Sequence, residues 1–89
     1  MYRIEVSPAA DRDLERLKRR IQRRNFERLR TAIRGLSEEP RLPGVRKIEG
    51  AERAYRIRVG DYRVVYEVYD KENLVLLLQV SRCTETTYR

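Results

Sequence analysis

The sequence predicts an α+β domain in which an N-terminal helix hairpin packs on one face of a small, mostly antiparallel sheet, in the order β-α-α-β-β-β. Two observations carry this expectation. Residues 8–36 repeat their apolar side chains at intervals of three and four, the period of an amphipathic helix. Residues 55–68 instead alternate apolar and polar side chains, the period of a half-buried strand, with Gly60-Asp61 as a turn between the runs. Helices first and hairpin-linked strands afterwards place the helices against the sheet. At 89 residues one domain, 1–89, is expected.

The elements follow in order. Tyr2, Ile4 and Val6 alternate with Arg3 and Glu5, giving a short first strand. Ser7-Pro8 is a helix start, a hydroxyl cap followed by proline at the first helical position. Asp11 and Asp13 sit near that end, where the helix dipole favours negative charge. Ala10, Leu14, Leu17 and Ile21 form one apolar stripe; Phe26, Leu29, Ile33 and Leu36 form another. The five-residue step from Ile21 to Phe26 puts the stripes out of phase, so two helices are expected, broken within Arg19–Asn25. Pro40 and Pro43-Gly44 end the helical region. Residues 45–50 enter the sheet as a loop or a short strand edge, and strands are expected over Arg53–Val59, Tyr62–Tyr69 and Leu74–Ser81. The last is apolar on both faces and is placed centrally.

Composition narrows the chemistry. The single cysteine, Cys83, has no internal disulfide partner and histidine is absent. Cys/His metal sites, histidine acid–base catalysis and the usual Ser-His and Cys-His pairs are therefore excluded. No cofactor and no metal are expected. No run of about 18 apolar residues is present, so no membrane span is expected, and the charged N-terminus does not read as a signal peptide. A cytoplasmic location is the expectation by default.

The net charge of +7 points to an anionic partner, nucleic acid or an acidic protein. Residues 1–50 hold 14 basic and 8 acidic side chains, whereas residues 51–89 hold 7 and 6. Arginine outnumbers lysine 18 to 3, which suits bidentate phosphate contacts and equally fits an arginine-favouring genome. Lys18, Arg19, Arg20, Arg23 and Arg24, with Arg46 and Lys47, are candidate RNA contacts, or for the helical run a solvated face.

The stretch Tyr55–Val68 carries the sharper signal. Tyr55, Ile57 and Val59 alternate with Arg56 and Arg58; after Gly60-Asp61, Tyr62, Val64, Tyr66 and Val68 resume around Arg63. Paired strands would hold three guanidiniums together, opposite Tyr55 and Ile57. Arg82 follows the last strand and Tyr88 lies six residues beyond it, suggesting four arginines with a phenol at the edge. A solvated sheet face is the plain alternative on composition alone.

This pattern, with Ile48-Glu49-Gly50 before it, resembles the RelE group of the RelE/ParE toxin superfamily. Ser7-Pro8, Glu39-Pro40 and the terminal Tyr88-Arg89 are similar too, so the resemblance covers nearly the whole chain. It implies a toxin of a type II toxin–antitoxin pair, a metal-free endoribonuclease that cuts mRNA in the A site of the 70S ribosome. It implies a cognate acidic antitoxin, and catalytic positions at Arg56, Arg58, Arg63, Arg82 and Tyr88. Such cleavage uses the 2′-hydroxyl as nucleophile, leaving a 2′,3′-cyclic phosphate and a 5′-hydroxyl. Arg63 and Arg82 would hold the scissile phosphate. Some relatives carry lysine where this chain has Arg56 and Arg58; arginine holds its proton, leaving Tyr88 or Glu85 as candidates for the base. The alternatives are a ParE-like DNA gyrase poison on the same scaffold, and a non-catalytic ribosome- or RNA-binding module.

Overall fold

The computed structural model describes residues 1–41 and 45–83. Two helices pack on a five-stranded, mostly antiparallel sheet. The elements are β1 (Arg3–Val6), α1 (Pro8–Arg20), α2 (Arg23–Gly35), β2 (Arg46–Lys47), β3 (Ala54–Val59), β4 (Tyr62–Tyr69) and β5 (Leu74–Arg82). Their order across the sheet is β1-β5-β4-β3-β2. Among these strands β1 alone runs parallel to its neighbour, β5.

Local chemistry sets these boundaries. Ser7 Oγ accepts from the Ala10 amide at 3.1 Å, so the expected cap is formed, with Pro8 in the first turn. The helices break at Ile21-Gln22, inside the expected window. α2 ends at Gly35, five residues ahead of Pro40, and Leu36 turns inward, fully buried. The β3–β4 hairpin has a two-residue loop, Gly60-Asp61. Gly60 has φ +60°, a conformation that glycine adopts without steric cost. The expected short edge at residues 45–50 is the two-residue β2, whose exposed Arg46 and Lys47 are the charge that natural edge strands use against unwanted pairing.

The core lies between helices and sheet. Ala10, Leu29 and Leu36 meet Val64, Tyr66 and Val68 of β4 and Val75, Leu77 and Val80 of β5. Leu77 and Val80 both point into this core although they are an odd number of residues apart. A β-bulge reconciles them: Val65 pairs with Gln79 but Tyr66 pairs with Leu77, so Leu78 is an extra residue on β5. The bulge reverses the alternation for the rest of the strand. β5 is an interior strand, as expected, although β4 is the middle of the five.

β1 ends at Val6, and past that point side chains take its place along the outer edge of β5. Ser7 Oγ donates to the Leu78 carbonyl at 3.3 Å, and the Val80 amide donates to Asp13 Oδ2 at 3.0 Å. Asp13 therefore ties α1 to the sheet, rather than serving only the helix dipole as the sequence suggests.

Candidate functional site

The sheet has one face under the helices and one face uncovered by them. Directly paired residues share a face, so the register assigns each basic side chain. Arg58 pairs with Arg63, Arg56 with Val65, and Arg46 with Arg56. Val64 and Tyr66, the neighbours of Arg63 and Val65 along β4, are buried under the helices. Arg46, Arg56, Arg58 and Arg63 therefore share the open face, across three adjacent strands. Directly opposed strand positions lie about 4.5–5.5 Å apart at Cβ, so Arg58 and Arg63 are immediate cross-strand neighbours. Arg56 and Arg63 are half-buried, whereas Arg58 and Arg46 are exposed. Arg58 Nε donates to the Gly60 carbonyl at 2.9 Å, fixing that guanidinium over the hairpin turn.

Arg82 does not join them. It pairs with Tyr62, and the nearby Val64–Val80 pair of the same parity is on the helix side. The bulge at Leu78 is the cause: in an unbroken alternation Arg82 would share the face of Leu76, but the extra residue turns it over. Ser81 pairs with Arg63 and occupies the open face instead. The expected patch of four arginines from Arg56, Arg58, Arg63 and Arg82 is thus the first three of these with Arg46, and Arg82 emerges on the other side at the same end of the sheet. Tyr88 and Glu85 lie outside the described residues.

The remaining basic candidates are dispersed. Lys47 pairs with Tyr55 and falls on the face opposite Arg46. Lys18, Arg19, Arg20, Arg23 and Arg24 are all exposed around the helix–helix connection. Lys18 and Arg23 border a groove of about 900 Å³ along the two helices, lined by apolar Leu14, Phe26 and Ile33 and by charged residues of both helices. Arg20 instead faces a cleft shared with Arg82.

A further cluster escapes the sequence pattern. Tyr2 donates to Asp70 Oδ1 at 2.6 Å, and Arg41 donates to Asp70 Oδ2 at 2.8 Å and to the Tyr55 hydroxyl at 3.1 Å. The Arg41 hydrogen bond, then that of Tyr2, holds the Asp70 carboxyl below the usual carboxylate range. The Asp70 bond in turn raises Tyr2 and, more strongly, Arg41. The guanidinium also lies 5.3 Å from the Tyr55 ring centroid. These residues join the start of β1, the segment after α2, strand β3 and the β4–β5 turn. Their separation in sequence, not their types, hides them. Among the described residues no three His, Cys, Asp or Glu side chains converge as metal ligands do, and no helix is long and apolar enough to cross a membrane.

Comparison with known proteins gives this geometry a family. Residues 4–86 match the family model described as the ParE toxin of the type II toxin–antitoxin system, parDE. The chain belongs to this family, within the RelE/ParE superfamily. It is a toxin of the type II toxin–antitoxin class. Solved structures of RelE proteins share the fold of this ParE-family chain. The archaeal RelE–RelB complex from Pyrococcus horikoshii OT3 contains a chain 28% identical, with a TM-score of 0.74, covering 91% of this chain and 93% of that one. The intact Escherichia coli RelBE toxin–antitoxin complex matches with 23% identity and a TM-score of 0.76, over 96% of this chain and 100% of the other. RelBE2 from Mycobacterium tuberculosis matches with 24% identity and a TM-score of 0.75, over 92% and 98%. Among curated proteins none matches.

Proposed function

We propose that this toxin is a ribosome-dependent, metal-free endoribonuclease that cuts mRNA in the A site. The observation that supports the reading is the Arg46–Arg56–Arg58–Arg63 cluster on the open sheet face. Attack of the 2′-oxygen on phosphorus concentrates negative charge on the non-bridging oxygens as the bond to the 5′-oxygen breaks. We assign Arg58 and Arg63 to those oxygens, where guanidinium forks give a stabilisation that grows with the developing charge. Arg56 and Arg46 extend the positive surface along the RNA backbone. The 2′-oxygen must also lose a proton and the departing 5′-oxygen must gain one. Arginine keeps its proton at working pH, so these transfers fall to another group. Tyr88 is our candidate.

Purified protein added to translating ribosomes should generate new RNA 5′ ends at A-site codons, with 2′,3′-cyclic phosphates upstream. Intact mRNA would overturn the reading. A ParE-like gyrase poison is the second reading, favoured by the ParE family match and by the placement of Arg82 away from the arginine face. Inhibition of gyrase in a supercoiling assay, with ribosomal mRNA left uncut, would establish it.

By the same reasoning we propose an acidic antitoxin as the partner, since chains that share the fold are seen in RelE–RelB complexes. The groove along α1 and α2, with both apolar and charged lining residues, suits an amphipathic helix of that partner.

A further inference from the structure

A second basic site lies on the other side of the sheet end. Between the second half of α1 and the last residues of β5 runs a cleft of about 420 Å³, lined among others by Arg16, Arg20, Tyr62, Ser81 and Arg82. Asp13 is the acidic residue among its described walls, and both its oxygens are already engaged. One accepts the Val80 amide at 3.0 Å and the other accepts Arg16 Nη2 at 2.7 Å. The carboxylate is 16% exposed, held at the strand edge, and it fixes the direction of the Arg16 side chain. Three arginines from two elements thus line a cleft that holds one committed carboxylate. That balance selects an anion, and the Tyr62 side chain adds an aromatic wall. The volume is in the small-ligand range of about 300–1,000 Å³, room for a nucleotide but not for a folded element.

The cleft and the arginine face lie on opposite sides of the same end of the sheet. Ser81 pairs with Arg63 and Tyr62 pairs with Arg82, and these pairs are consecutive along the sheet. Consecutive strand positions are about 3.3 Å apart and point to opposite faces. A polynucleotide that engages both Arg63 and Arg82 would have to turn over this end of the sheet.

We infer that this cleft binds one nucleotide unit of a single-stranded RNA, its phosphate on Arg16, Arg20 and Arg82 and its base against Tyr62. The identification of the polymer as RNA rests on the proposed cleavage activity; the preference for a phosphate-bearing nucleotide rests on the cleft.

The test uses the full chain and a 2′-O-methyl oligoribonucleotide, which binds but lacks the nucleophile for cleavage. Fluorescence anisotropy across a salt series should show the Arg16→Ala/Arg20→Ala variant bound about tenfold more weakly, with a shallower salt slope. The slope should fall by about 0.7 for each phosphate that the variant no longer neutralises. Both residues are exposed, and circular dichroism is used to check that the variant is folded. Amide NMR locates the binding surface: the oligonucleotide should shift Arg20, Ser81 and Arg82 in the unaltered protein and in an Arg56→Ala/Arg58→Ala variant. Unchanged affinity and slope in the first variant, shifts confined to the open face, or the same cleft shifts with inorganic phosphate alone would each overturn the inference. An unaltered protein that engages the oligonucleotide through the cleft yet leaves ribosomal mRNA intact supports the cleft site and refutes the cleavage reading.

Discussion

Tyr66 shows how one side chain joins two parts of the fold. Its ring is fully buried and stacked on Tyr55, with centroids 6.0 Å apart, and its hydroxyl donates to the Pro40 carbonyl at 2.6 Å. Tyr66→Phe leaves that carbonyl without its donor in a buried setting and should cost about 1–2 kcal/mol in denaturant unfolding at neutral pH. Burial, then the nearby Tyr55, pushes the Tyr66 hydroxyl up to about 12. The folded state keeps it neutral where the unfolded chain ionises near 10, so its contribution is complete below about pH 10 and is lost toward pH 12. The phenylalanine variant should lose less stability across that alkaline interval. Asp70 has the opposite sign. Its carboxyl is held low chiefly by Arg41, so its contribution exists above the ordinary carboxylate range and disappears as acid protonates it. Asp70→Asn should flatten the acid limb of the stability profile; an unchanged limb would show that this exposed network carries no thermodynamic weight.

At the scale of elements, β5 is where the sequence pattern and the folded chain diverge. The helix stripes, the Ser7 cap, the break near Ile21 and the β4 bounds are all legible, because each depends on near neighbours in sequence. The core partners Leu29, Leu36, Val64 and Val68 follow from the same periods. The Leu78 bulge does not. In a strand apolar at Leu74, Val75, Leu76, Leu77 and Leu78, either parity looks buried, and only pairing with β4 determines where alternation reverses. That reversal transfers Arg82 from one face to the other. Alternation therefore locates the arginines of the two hairpin strands and misplaces the one at the end of β5. The Asp13–Val80 bond is hidden for a related reason: it answers the end of β1, a feature of the sheet rather than of α1. Leu77 lies just before the bulge and is fully buried against the helices. Leu77→Ala should cost about 2–5 kcal/mol, measured as a shift in the urea midpoint at constant slope. A loss below about 1 kcal/mol would mean that the bulge lets β5 close the cavity.

For the whole molecule, charge separates binding from chemistry. The +7 excess is spread over the helix connection, the α1–β5 cleft and the open face, so the pull on a polyanion is distributed among many side chains. Each phosphate neutralised adds a salt-dependent increment that depends on charge more than on shape. Catalysis has the reverse requirement: two oxygens of one phosphate must be met by donors in fixed directions. Arg63, half-buried in the central strand and opposite Arg58, is the arginine most constrained to such a role. Arg63→Lys keeps the charge and removes the planar fork. In a ribonuclease of the proposed kind this variant should bind ribosomes with nearly the affinity and salt slope of the original. Its single-turnover cleavage of A-site mRNA should fall about 10²–10³-fold, the usual cost of losing a transition-state donor. Equal losses in binding and cleavage would make Arg63 a backbone contact. Full activity with lysine would place the transition-state donors elsewhere, with Arg82 at the sheet end the next residue to substitute.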